Sequence, residues 1–390
     1  MPPRGEDGYE VALLDWLSCA AAGTAEPAAR AARAVGDGLV ERVAAAGAAG
    51  HALDYDDTYL PGVAHLSAAT APAALLVAAE QGLSAGAALE AFAAGFEAMG
   101  ALARASHPAL YDGGWHPTAV CGGPGAAVTS AKLLGLGPEE ERSAIALALS
   151  AAGGLRASFG SDGKPIQVGR AAANGVAAAM LAAAGARAPL ERVAGGPAGF
   201  EVAFGAAFAT AGGPGPAIEE NWIKAYPCCL QTHGAIEAAL SIREADGGDA
   251  GEWRHGLAVA VHRLSLQAAP VEIPGDGLEA KFSIPYLTAF ALLHGAPAPS
   301  DFARVDEAVA SLAERITVRA DSGLDESEAV VISGGRELAR VRAARGSPSR
   351  PLDAPALAAK RRSLAGERLE GALEDRGAPA AGLLTAAGLT

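Results

Sequence analysis

Between Gly153 and Ala184 the chain runs from a glycine-rich loop straight into a segment of small apolar residues, which commits this part of the fold to a long helix. The loop reads Gly153-Gly154-Leu155-Arg156-Ala157-Ser158-Phe159-Gly160-Ser161-Asp162-Gly163-Lys164-Pro165-Ile166-Gln167-Val168-Gly169-Arg170, and alanine dominates from Ala171 to Ala184. Alanine is the best helix former. A residue before proline is pushed toward extended geometry, whereas proline itself suits a first helical turn. The helix is therefore predicted to begin near Pro165 or Ile166. Lys164 would then stand beside unbonded N–H groups at the positive end of a helix, a place that suits an anion. Lysine is scarce, with Lys132, Lys164, Lys224, Lys281 and Lys360 set against twenty-five arginines. A lysine in this loop therefore draws attention.

Composition narrows the function. A chain of 390 residues can bury a large core and form two domains. Helix formers outnumber β-branched residues, so the fold expected is mainly α. A net charge of −14 argues against nucleic acid and against anionic membranes. A small anionic substrate would then need a local cationic pocket, for which Arg156, Lys164 and Arg170 are candidates. Cys19, Cys121, Cys228 and Cys229 have no metal-finger spacing. Reduced thiols in a cytoplasmic protein are expected, with the vicinal Cys228-Cys229 pair serving packing. The first seven residues are polar and do not read as a signal peptide. Thr58 to Ala79 holds no Asp, Glu, Lys or Arg, but Pro61, His65 and Pro72 interrupt it, so it is not read as a membrane span.

Taken in order, helical spacing is read over 10–22, 28–48, 72–80, 85–103, 119–134 and 139–152. Two polar breaks divide these segments. Leu53 to Ser67 carries Asp54, Asp56, Asp57, Thr58 and His65, either as a set of helix caps or as the edge of a site. His107 to Thr118 mixes aromatics, glycines, His107 and His116 ahead of an apolar helix, the composition of a pocket wall. Gly- and Pro-rich residues 195–216 read as loops. Beyond them come strands over 256–266, 316–319 and 329–332 and helices over 232–244 and 306–315. An amphipathic helix over 354–369 brings the chain back to the helical pattern of its first half. The domains expected are a helical part over 1–218, an α/β part over 219–347, and a helical return over 348–390.

Five segments together resemble the MmgE/PrpD family of dehydratases, decarboxylases and epimerases of small carboxylates. They are Asp56-Asp57-Thr58 with His65-x-Ser67; Gly114-Trp115-His116-Pro117-Thr118; Gly163-Lys164-Pro165 with Gly169-Arg170-Ala171-Ala172; Lys224-x-Tyr226-Pro227-Cys228; and Lys281-Phe282-Ser283-Ile284-Pro285-Tyr286. The resemblance implies a large helical domain with a smaller α/β lid, a homodimer, and an active site that needs no metal or organic cofactor. It places the polar site residues at Asp54, Thr58, His65, His116, Lys164, Lys224 and Tyr286. The chain departs from the family pattern at His65-Leu66-Ser67, where His-Pro-Ser is usual, in one extra residue between Thr58 and His65, and in a shorter N-terminal region.

The chemistry implied is proton transfer at a carbon next to a carboxylate, whose developing charge must meet fixed cations and donors. His116 is the first choice of general acid/base and His65 the second proton carrier. Lys164 and Lys224 bind carboxylates, with Arg170 and Lys281 as further binding candidates. Asp54 and Thr58 orient, and Tyr286 closes the site. The reading favoured is a hydro-lyase of the 2-methylcitrate dehydratase kind on a small hydroxy-di- or tricarboxylate. An epimerase or decarboxylase of a similar substrate is the alternative, and a non-catalytic carboxylate binder the third.

Overall fold

A computed structural model describes residues 8–245 and 256–390. The polar leader over residues 1–7 lies outside the described residues. The fold is mainly α with a smaller α/β part, and divides into two compact units. Of the described residues, one comprises 8–158, 162–223 and 351–390; the other 159–161, 224–245 and 256–350.

The larger unit is built around the helix Gly163–Ala183, which packs against the helices Leu39–Ala52, Leu66–Glu80, Pro117–Leu133 and Pro138–Ser150. Small residues let these helices approach. A Cβ on Gly47 would lie 2.8 Å from Gly169 Cα, and one on Gly169 would overlap the Ala44 carbonyl. Leu13, Trp16, Leu17, Leu75, Phe92 and Phe96 fill the core behind them. The helix Ala354–Ala365 is tied to the helix Gly8–Gly23 by a buried ion pair, Lys360 Nζ to Asp15 Oδ1 at 2.7 Å. Lys360 also donates to the Tyr55 carbonyl at 2.8 Å, anchoring the segment that carries Asp54 and Asp56.

The predicted helix over 28–48 is two helices, Pro27–Arg33 and Leu39–Ala52, because Gly36-Asp37-Gly38 breaks it and Gly38 caps the second. The helix predicted from Pro72 instead begins at Leu66, with Pro72 inside it. Gly163 and Lys164 are already helical, so the helix starts sooner than proline geometry suggested. Pro165 falls at the third helical position, where its missing N–H would have had no intrahelical partner.

In the larger unit the short strand β1 Thr58–Tyr59 pairs antiparallel with β2 Asn221–Trp222. In the smaller unit four strands stand in the order β4-β3-β5-β6: β3 Leu257–Val261, β4 Ile316–Ala320, β5 Ala329–Ser333 and β6 Arg336–Val341. β3 pairs parallel with β4 and antiparallel with β5, which pairs antiparallel with β6. Helix His233–Ala245 covers β5 and β6. The strand expected to run to Leu266 ends at Val261, where His262 caps the short helix Arg263–Ala268. β6 carries Arg336, Glu337 and Arg340, the charged composition of an edge strand, and so shows no hydrophobic alternation. The four cysteines are buried. Among the described residues no helix is long and apolar enough to cross a membrane.

Candidate active site

Three helices of the larger unit deliver polar side chains from their N-terminal ends. His65 is the N-cap of Leu66–Glu80, His116 the N-cap of Pro117–Leu133, and Lys164 the second residue of Gly163–Ala183. Asp54, Asp56 and Thr58 come from the connection after the helix Leu39–Ala52. Its last turn supplies His51, a residue that sequence reasoning passed over. Asp54 adopts φ +53°, a left-handed backbone that aspartate tolerates better than most residues. These seven side chains are 0–8 % exposed. Asp54, Asp56 and Thr58 turn into the cluster, Asp57 accepts from Asn221 Nδ2 at 2.8 Å, and the residue at the cap position of the following helix is His65.

The contacts form a continuous chain. Lys164 Nζ lies 2.9 Å from Asp54 Oδ1 and 2.7 Å from His51 Nε2. An ammonium only donates, so His51 accepts at Nε2 and carries its proton on Nδ1, which faces Asp56 Oδ2 at 2.9 Å. His65 Nδ1 is 3.2 Å from the same Asp56 oxygen and 3.4 Å from Thr58 Oγ1, and its Nε2 is 3.8 Å from Asp54. The ring centroids of His51 and His65 are 4.4 Å apart, and those of His51 and His116 6.1 Å. Two loops lock the helix end at His116: His116 N–H donates to Gly154 O at 2.9 Å, and Arg156 N–H to Gly114 O at 3.0 Å.

Burial dominates the electrostatics. It lowers the His51 pKa, opposed by Asp56. Burial and then the positive charge of Lys164 hold His116 well below the ordinary histidine range, so this imidazole is neutral. Asp56 is pulled well below the carboxylate range by its two histidine partners, against the desolvation that raises it. Neighbouring Asp57 is pushed up to about 7 by burial and by Asp56. The cluster thus holds ionised Asp56 between His51 and His65, a neutral His116, and Asp54 against the Lys164 ammonium.

His51, Asp54, Asp56 and His65 offer ligand atoms within 4.8 Å of one another, a spacing that could hold a metal ion. A cation there would meet the Lys164 ammonium, already hydrogen-bonded to two of the four donors.

The structure brings together Asp54, Thr58, His65, His116 and Lys164 from the residues expected. Arg170 is not among them. It is exposed, six residues beyond Lys164 and so about 120° around the helix axis, and it lines a cavity of about 830 Å³ with Glu41, Gln167 and Asn174. Arg156 stacks its guanidinium 4.2 Å from the Tyr111 ring centroid. Lys224, Lys281 and Tyr286 belong to the smaller unit, where all three are buried. There Lys281 Nζ lies 5.6 Å from the centre of the Phe302 ring, and the Tyr286 hydroxyl accepts from Asp306 N–H at 2.9 Å. Sequence reasoning missed His51 and gave Asp56 no role of its own. The signal for Asp56 was its place in the Asp-Asp-Thr segment; for His51 there was none beyond its residue type.

The fold and the cluster define a mainly helical protein with a buried lysine–histidine–carboxylate centre. The chain belongs to the MmgE/PrpD family: its N-terminal domain model matches residues 39–212 and its C-terminal domain model residues 226–380. Cis-aconitate decarboxylase of Homo sapiens is 34 % identical over 216 residues, covering 51 % of this chain and 43 % of the human protein. The Aspergillus terreus enzyme of that name is 29 % identical over 280 residues, 62 % of this chain and 54 % of the relative. The Mus musculus one is 30 % identical over 273 residues, 64 % and 54 %. The chain spans about half the length of the curated relatives it matches.

Proposed function

We propose that this chain is a carboxylate lyase whose chemistry is proton transfer at a carbon next to a carboxylate, and that it decarboxylates a small unsaturated polycarboxylate, with cis-aconitate the first candidate. The observation that carries the reading is the meeting of three helix N-termini and Lys164 around the imidazoles of His51, His65 and His116 at one buried point. Positive helix ends and an ammonium favour substrate carboxylates. They also meet the charge that develops when a C–C bond breaks and its electron pair passes to the remaining carboxyl group. His65 has carboxylates 3.2 and 3.8 Å from its two ring nitrogens, so either nitrogen can hold a proton against an anion. It is the group placed to protonate the carbon once CO₂ has left. Lys164, clamped by Asp54 and His51, is the fixed cation. The hydro-lyase favoured by the sequence uses the same groups; the relatives' names shift the preference to decarboxylation.

Incubation of the purified protein with cis-aconitate in deuterated water tests this. One CO₂ per turnover and one deuteron at the newly protonated carbon are expected. Dehydration of 2-methylcitrate without CO₂ would replace decarboxylation by β-elimination. Hydrogen exchange with inversion and no alkene would make the protein an epimerase. Binding of tricarboxylates with none of these products would overturn the enzymatic reading.

A further inference from the structure

Gln167 has no part in the readings above, yet it faces His116 from the helix Gly163–Ala183. Its amide is clamped by one residue of the neighbouring loop: Leu155 N–H donates to Gln167 Oε1 at 3.0 Å, and Gln167 Nε2 donates to Leu155 O at 3.2 Å. A flipped amide would set oxygen against the Leu155 carbonyl and NH₂ against the Leu155 N–H. The two backbone bonds therefore decide which end is nitrogen. That nitrogen lies 2.7 Å from His116 Nδ1. A donor there requires a lone pair on Nδ1, and a neutral imidazole with its lone pair on Nδ1 carries its proton on Nε2.

We propose that Gln167 is a positioning residue that holds His116 as the neutral Nε2–H tautomer, so that His116 meets the substrate as a fixed hydrogen-bond donor to a carboxylate or enolate oxygen while the proton is carried elsewhere. Protonating Nδ1 would set N–H against N–H at 2.7 Å. The charged and titratable groups that act most on His116 do so in the same direction on balance: Lys164, His51 and His65 oppose a positive charge on it and Asp54 favours one. A neutral histidine acting as an electrophile is an established catalytic arrangement. The donor role at substrate rests on the lyase reading; the tautomer does not.

The tautomer is read from ¹⁵N shifts of histidine-labelled protein without substrate, with the His116 signals assigned by their loss in His116→Gln. Wild type is expected to show a pyridine-type Nδ1 and a pyrrole-type Nε2, unchanged across roughly pH 6–8. Gln167→Glu places an acceptor beside Nδ1 and should convert it to the pyrrole type. Gln167→Met, similar in size and without the amide, should give a mixture. A pyrrole-type Nδ1 in wild type, or ¹⁵N shifts indifferent to both substitutions, overturns the proposal. With cis-aconitate, Gln167→Met is expected to lower kcat about tenfold with KM within about twofold, and Gln167→Glu to lower it further and add a new limb to the pH profile. Native kcat in both variants would overturn the donor role. Absence of cis-aconitate turnover in wild type, with the expected ¹⁵N pattern, would refute the decarboxylase reading and leave the tautomer standing.

Discussion

Adding one methyl group where the helices Leu39–Ala52 and Gly163–Ala183 cross should cost stability and distort the candidate site together. In Gly47→Ala the new Cβ would lie 2.8 Å from Gly169 Cα. Carbon atoms pack at about 3.5–4.0 Å, so the helices must part by roughly 1 Å. Overpacking of this kind costs about 1–3 kcal/mol, which for a unit of this size lowers Tm by roughly 3–8 °C. Gly169→Ala should cost more, because its Cβ would overlap the Ala44 backbone carbonyl, which cannot rotate away. His51 lies one turn beyond Gly47, and Lys164 five residues before Gly169, so the same separation stretches the 2.7 Å contact between Lys164 and His51. A misplacement of about 1 Å can cost about 10²-fold in rate. Gly382→Ala is the control. This glycine is exposed in the helix Ala380–Ala387, and a Cβ there meets nothing within 4 Å. It should gain about 0.5–1 kcal/mol from helix propensity. Thermal unfolding of the three variants gives the order Gly382→Ala above wild type, then Gly47→Ala, then Gly169→Ala. Equal Tm values for the two crossing variants and wild type would refute the close-approach argument.

Lys164→Met leaves Asp54 buried beside a thioether; a loss of about 3–5 kcal/mol in urea unfolding is expected, with turnover of cis-aconitate down by about 10² or more. Lys164→Arg should restore neither, since a planar guanidinium does not replace a compact ammonium, and native turnover in either variant contradicts the role given to Lys164. Asp57, pushed up to about 7, holds its proton in the folded chain at pH values where the unfolded chain has lost it. Wild-type stability therefore carries a loss that grows as pH rises from about 4 to 7, by about 1.4 kcal/mol per unit at most. Asp57→Asn, which can still accept from Asn221 Nδ2, should gain on wild type through that window and hold a constant advantage above it; parallel pH profiles would dismiss the assignment. Lys360→Met alone should cost about 3–5 kcal/mol, and Asp15→Leu with Lys360→Met distinctly less, because the double change leaves no buried charge unpaired. A double cost equal to the sum of the single costs would show that the pair does not act as a unit.

Much of the helical unit was legible because helix formation is local. Alanine propensity marked Gly163–Ala183, and Gly and Pro marked the loops that carry His65, His116 and Lys164. Boundaries were misread where a local rule met another constraint. The extended bias before Pro165 gave way at a helix start, and Gly36 and Gly38 outweighed the periodicity over 28–48. Charged β6 showed no alternation because an edge strand keeps its polar residues in water. His51 was invisible, since a single histidine in an alanine helix carries no pattern, and its partner Lys164 lies 113 residues away. Arg170 looked like a binding residue by its nearness to Lys164 in sequence, and helical rotation put it on another face.

The residue types, the helices and the polar loops between them are decided by interactions spanning a few residues, and the sequence alone determines those. Which polar groups meet, and in which protonation state, is decided by burial and by charges that arrive from distant segments. Lys164 as a clamped cation, His116 as a neutral ring with its tautomer set by Gln167, and Asp57 as a carboxyl half-protonated near neutrality are therefore properties of the tertiary structure. Desolvation and Coulomb forces act through space, and only the folded chain sets those distances.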